Sequence, residues 1–118
     1  MKKHLFFIDP ISKLVTKKDS TILIALTLQE RGEEVYVMFE KDFYLQNTRD
    51  IKFDCHRISG NINDDFYIED FKLHDQVEVV DVNSQAILHM RIDPPYDTRY
   101  QRYLWMLDFL EQKTHCEV

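Results

Sequence analysis

Glycine is nearly missing from this sequence: Gly32 and Gly60 are the only two among 118 residues. Loops that wrap a triphosphate or a dinucleotide need glycines so that backbone amides can approach the phosphates. No G-x-G-x-x-G and no P-loop pattern occurs, so the usual nucleotide cradle is excluded from this stretch of chain. Cysteine is equally scarce. Cys55 and Cys116 stand in no metal or redox spacing, and free thiols are expected rather than a 55–116 disulfide. Positive charge is in deficit, with 15 basic against 21 acidic residues and a formal net charge of −6. Nucleic-acid backbones and anionic membrane surfaces call for the opposite sign. No apolar run reaches membrane-spanning length, and the opening "MKKHLFFIDP" turns acidic too soon for a secretory signal. A cytoplasmic protein is therefore expected.

At this length one domain with one sizeable core is feasible, burying roughly two-thirds of the unfolded surface. "HLFFI" (4–8) is a short apolar run halted by Asp9-Pro10, which reads as a buried strand and a loop. In "STILIALTLQERG", Ile22, Ala25, Leu26 and Gln29 share one helical face, and Leu23 and Leu28 widen it. Asp19 or Ser20 suits its N-cap and Gly32 its stop. "EVYVMF" (34–39) is again strand-like. Strand, helix and strand in this order predict a βαβ unit with two parallel strands.

The middle is more ambiguous. "IKFDCHRI" (51–58) alternates, with Ile51, Phe53 and Cys55 on one side, as a half-exposed strand does. Residues 66–73 pair with it as a hairpin across the Gly60-Asn61 region, or form a short helix; "VEVVDV" (77–82) is open in the same way. "QAILHM" (85–90) reads as a strand. After the double proline, Tyr100, Tyr103, Leu104, Leu107 and Leu110 line one face of a helix. Trp105, Met106 and Phe109 flank that face, with Asp97 as N-cap and Lys113 in the last turn. A helix apolar on two sides needs two partners, so a second subunit (a homo-oligomer) or a further domain is expected against the flank. "HCEV" reads as the first residues of another strand, cut off, as expected of a shortened chain.

Ligands of open α/β sheets sit beyond the carboxyl ends of parallel strands. Two loops fit. One follows strand 4–8 and carries Asp9, Pro10, Lys17, Lys18 and Asp19; the other follows strand 85–90 and carries Arg91, Asp93, Pro94, Pro95 and Asp97. With both strands parallel, the two loops open on one edge. The two prolines either hold Arg91 and Asp93 in a stiff corner or merely end a strand and start a helix. Arg91 is the foremost ligand contact, because its planar fork grips a carboxylate with two hydrogen bonds. An internal ion pair with Asp9, Asp93 or Asp97 is the plainer alternative. Lys17 and Lys18 precede a helix N-terminus, where they either draw an anion or stay solvated. The histidines at 4, 56, 74, 89 and 115 lack metal-ligand spacing, and "NDD" (63–65) reads as a turn rather than a calcium loop.

Three segments carry a family resemblance. "FFIDPISKLVTKKDST" resembles the opening of the prokaryotic glutathione synthetases, a strand running into D-P-I and then a K-K-D-S/T helix start. "RGEEVYVMFEKDFYL" resembles their next stretch, and "HMRIDPPYDTRY" resembles their M-R-K-D-P-P-F-D signature. The resemblance implies an α/β fold, a Rossmann-like three-layer αβα pre-ATP-grasp domain with a mainly parallel sheet and a β-hairpin insertion around 51–73. Residues 1–118 then form a single amino-terminal domain, ending before an ATP-grasp domain.

It further implies a ligase that joins γ-glutamylcysteine to glycine, using ATP and Mg2+ and releasing ADP and phosphate, with the nucleotide and metal groups outside this chain. Asp9, Lys18, Asp19, Ser20, Arg91 and Asp93 match the motifs as substrate-binding positions; Pro10, Pro94, Pro95 and Asp97 match as loop-holding ones. Ile92 stands where the family has lysine, which removes a cationic contact. No catalytic residue, cofactor or metal ligand is assigned to this chain, and the 118 residues alone are expected to be inactive. The alternative from another class is a stand-alone shortened relative acting as a binding or interaction module.

Overall fold

The computed structural model describes residues 2–11, 14, 17–42, 51–91 and 98–118, with backbone alone at 98–102. In order, the elements are β1 (Lys3–Ile8), α1 (Ser20–Glu30), β2 (Glu34–Met38), a single 3-10 turn (Glu40–Asp42), β3 (Lys52–Ile62), β4 (Ile68–Asp81), β5 (Ala86–Arg91) and α2 (Thr98–Thr114). The strands form one five-stranded sheet in the order β4-β3-β2-β1-β5.

β1 pairs in parallel with β2 and with β5, which confirms the predicted βαβ unit. The sheet as a whole is mixed, not mainly parallel, because β2–β3 and β3–β4 are antiparallel. A parallel neighbour needs a crossover of a dozen or more residues. The link from β3 to β4 is the tight 63–67 turn, which permits only an antiparallel return.

The hairpin is also longer than the expected 51–73. β4 runs to Asp81 and absorbs "VEVVDV", so no short helix forms there. Its turn lies past Gly60-Asn61, where Asn63 Oδ1 accepts from the amides of Asp65 and Tyr67, each at 3.0 Å. Asn63 thus makes a local turn out of "NDD".

β1 is buried on both sides because its two faces serve two cores. Leu5 and Phe7 join Tyr36, Met38, Phe53, Cys55, Val80 and Leu88 under Tyr103, Leu107 and Leu110 of α2. Phe6 and Ile8 join Val35, Val37 and Ile58 under Ile22, Ala25 and Leu26 of α1. One helix therefore covers each face of the sheet. Among the described side chains of α2, Tyr103, Leu107 and Leu110 are buried as expected, Met106 packs inward and Leu104 is 44% exposed; the Tyr100 side chain lies outside the described residues.

Helix ends follow local chemistry. Asp19, not Ser20, caps α1, its Oδ1 accepting from the amide of Ile22 at 2.9 Å. Gly32 at φ +87° ends the helix, with the Glu33 amide donating back to Leu28 O at 3.1 Å. α2 ends at His115, which takes φ +60°, and the chain then turns back along β5. There the Glu117 amide donates to Ala86 O at 3.0 Å and the Leu88 amide to Glu117 O at 2.8 Å. The strand start expected in "HCEV" is thus paired, parallel to β5.

The hairpin bends at two register shifts, between His56 and Ile58 and between Ser59 and Asn61. The bends carry it over α1. Gln29 Nε2 donates to Ile58 O at 3.0 Å near the end of the helix. At its start the Ile68 amide donates to Lys17 O at 2.8 Å, and Lys17 Nζ lies 5.5 Å from the Tyr67 ring centre. Gly60 lets the hairpin come this close, since a Cβ there would stand 3.2 Å from Leu26 Cδ1.

Candidate functional site

The geometry of the candidate rim starts from one register. Ile8 pairs with Arg91 across parallel strands β1 and β5. The chain therefore leaves both strands at the same sheet edge, with Asp9 following directly on Ile8, the partner of Arg91. Even-numbered β1 residues and odd-numbered β5 residues share a face, so Arg91 lies on the side covered by α1. Arg91 is exposed and Asp9 half-buried, so the guanidinium fork is open to solvent.

The loop after β1 leads to α1 with Pro10, Lys17, Lys18 and Ser20 all exposed. Asp19 already has a structural task, because its carboxylate satisfies a free amide of the first helical turn. Asp93, Pro94, Pro95 and Asp97, together with Ile92, lie outside the described residues. The register thus sets Arg91 opposite Ile8 at the rim, and a hydrogen bond to Ile22 N assigns α1 capping to Asp19.

Two polar constellations escaped sequence reasoning. On the face covered by α1, His4 Nδ1 and His89 Nε2 are 3.0 Å apart. The His89 ring stacks on Phe6 with centroids 4.1 Å apart, and His4 Nε2 lies 3.6 Å from Glu33 Oε2. Burial, then His4, then Arg91 hold the His89 pKa down to about 4. On the opposite face, Arg57 Nε donates to Glu78 at 3.1 Å and Nη2 to the Tyr36 hydroxyl at 2.9 Å. The Tyr36 hydroxyl in turn donates to Glu34 at 3.3 Å, and burial chiefly raises its pKa. Both sets join residues from separate strands. The one available signal was the alternation that puts His4 and His89 on inward-facing positions.

Neither thiol serves as a nucleophile. Cys55 and Cys116 are free and buried. Burial pushes Cys55 up to about 12, helped by Asp42, Asp54 and Glu78, and raises Cys116 as well.

Neither glycine is placed to approach a phosphate. Gly60 is filled by Leu26, Ile68 and Phe71, and Gly32 closes a helix. Among the described residues no group of three His, Cys, Asp or Glu side chains converges for a cation. No described helix is long and apolar enough to cross a membrane.

With this geometry in place, comparison with known proteins is informative. Residues 2–117 match the family described as prokaryotic glutathione synthetase, N-terminal domain. The chain is 32% identical over 105 residues to the glutathione synthetase of Vibrio parahaemolyticus, with 89% of the chain covered. It is 31% identical to that of Escherichia coli O127:H6 and 30% identical to that of Salmonella typhimurium, over the same share of its length. In each case it spans 32% of the relative's length. Three quoted motifs in order, a βαβ rim and a match along almost the whole sequence agree: this chain belongs to the family of the prokaryotic glutathione synthetase N-terminal domain.

Proposed function

We propose that this chain is the substrate-side, Rossmann-like pre-ATP-grasp unit of a cytoplasmic glutathione synthetase. In that enzyme γ-glutamylcysteine and glycine are ligated at the expense of ATP, with release of ADP and phosphate. A carboxyl-terminal ATP-grasp domain holds ATP and Mg2+ in this reading. The chain's own part is to bind and orient. Arg91 offers two parallel N–H donors to a substrate carboxylate, and Asp9, next in sequence after its partner Ile8, adds a negative charge to the same rim. Such opposite charges on one rim suit the zwitterionic end of a dipeptide. Lys18, Ser20 and Asp93 belong to the same rim in this reading, Pro10, Pro94, Pro95 and Asp97 hold its loops, and the gain comes from fixing the substrate rather than from bond chemistry.

The observation that carries this reading is the Ile8–Arg91 parallel register. The test is an NMR titration of the chain with γ-glutamylcysteine. Amide shifts confined to residues 9–20 and 91–97, lost in Arg91→Ala, are expected. Shifts elsewhere, or none at millimolar dipeptide, would overturn it. The chain alone is expected to form no glutathione from γ-glutamylcysteine, glycine and Mg-ATP.

A stand-alone binding module is the second reading. It calls for a polar outer surface, whereas α2 exposes Leu104 at 44%, Trp105 at 68% and Phe109 at 38%. That apolar strip favours a protein in which a further domain or subunit covers α2.

A further inference from the structure

We propose that His4 and His89 form one proton-sharing pair that holds at most a single positive charge while β1 and β5 stay joined, making this seam of the sheet acid-sensitive. Neither ring is assigned a substrate contact above, although His89 lies two residues before Arg91 on β5. At 3.0 Å between His4 Nδ1 and His89 Nε2 there is room for one hydrogen, so one ring donates and the other accepts. Two imidazolium rings would place two hydrogens, and two positive charges, in that gap.

The surroundings decide where the single proton stays. The Glu33 carboxylate, from the turn before β2, faces His4 Nε2 at 3.6 Å. Its Oε2 is buried with no hydrogen-bond partner. His4 is therefore flanked by the Glu33 carboxylate at Nε2 and by His89 at Nδ1. His89 has the opposite environment. It stacks on Phe6, and the Arg91 charge from its own strand disfavours a second positive charge. Lys2 and Glu117, on the same face by register, are engaged with each other at 3.6 Å. Among the described residues, β2 and α1 contribute Val35, Val37, Ile22, Ala25 and Leu26 to the core on this side, with Leu23 and Leu28 packed against it.

The sign follows. The folded-state pKa of His89 lies below the ordinary value, about 4 against 6.5. The neutral ring is the native one, so its contribution to stability is full above about pH 6.5 and is lost as pH falls toward about 4. With solvent screening of a half-buried ring, the folded-to-unfolded ratio should fall roughly 10- to 100-fold over that window on this account alone.

The experiment is a pH series of ring-nitrogen NMR on the whole chain, with urea unfolding of wild type and His89→Gln between pH 7 and pH 4. Gln keeps a donor and an acceptor but cannot take up a proton. The proposal expects one shared-proton signature at neutral pH, His89 protonating only near pH 4 together with loss of β1–β5 amide signals, and an acid limb shallower in His89→Gln by that 10- to 100-fold factor. Independent titration of both rings near pH 6.5 would overturn it, as would an unchanged acid limb in His89→Gln. If that variant does not fold, the wild-type ring spectra alone decide.

Discussion

Replacing Asp19 by Ala separates capping from substrate binding at a position where the family motif and the structure assign different tasks. The side chain satisfies one amide of the first turn of α1 through a 2.9 Å bond to Ile22 N. Loss of such a cap costs about 0.5–2 kcal/mol. Asp19 is half-buried, and Lys17 and Lys18 just before it are exposed cations at the positive end of the helix dipole. Removing the carboxylate leaves their charge unopposed, which adds about 0.3 kcal/mol at low salt. The sum is about 1–2 kcal/mol, or a fall in Tm of roughly 4–10 °C for a domain of this size. Urea unfolding at low and high salt is the assay, because salt screens the dipole part and leaves the hydrogen bond. Asp19→Ser, which keeps an acceptor oxygen, should restore most of the loss. A loss below about 0.3 kcal/mol in Asp19→Ala, or no rescue by Ser, would refute the capping argument.

Gly32→Ala should cost about 1 kcal/mol in urea unfolding although nothing stands within 4 Å of the added methyl, since the strain lies in φ +87°. Cys55 should resist alkylation at pH 8 in the native chain and react fully in denaturant, because burial holds its thiol protonated up to about 12. Its folded-state pKa is raised, so its stabilising share is present below the ordinary thiol value and is lost as pH rises toward about 12, readable as an alkaline unfolding limb that Cys55→Ala flattens. Arg91→Ala should move the His89 titration upward from about 4, since a neighbouring positive charge is removed; an unmoved titration would show that burial alone sets it.

What could be read from residues alone was local. The apolar runs, the helix face of Ile22, Ala25 and Leu26, the glycine stop and the parallel βαβ unit all follow from periodicity and capping within about 30 residues. Asp9-Pro10 could be named as loop residues and the motifs pointed to the family, while Arg91, expected in the loop after 85–90, is instead the last residue of β5. The hairpin was expected and is present, but its extent and the place of its turn were misjudged, because the turn is made by Asn63 side-chain bonds rather than at Gly60, which serves instead to let the strand approach Leu26. Only the folded sheet decided which distant residues meet. The β1–β5 register joins positions more than 80 residues apart, setting Ile8 beside Arg91 and His4 against His89. Pairing across a sheet depends on how both strands bury their faces at once, and no single stretch of chain carries that information.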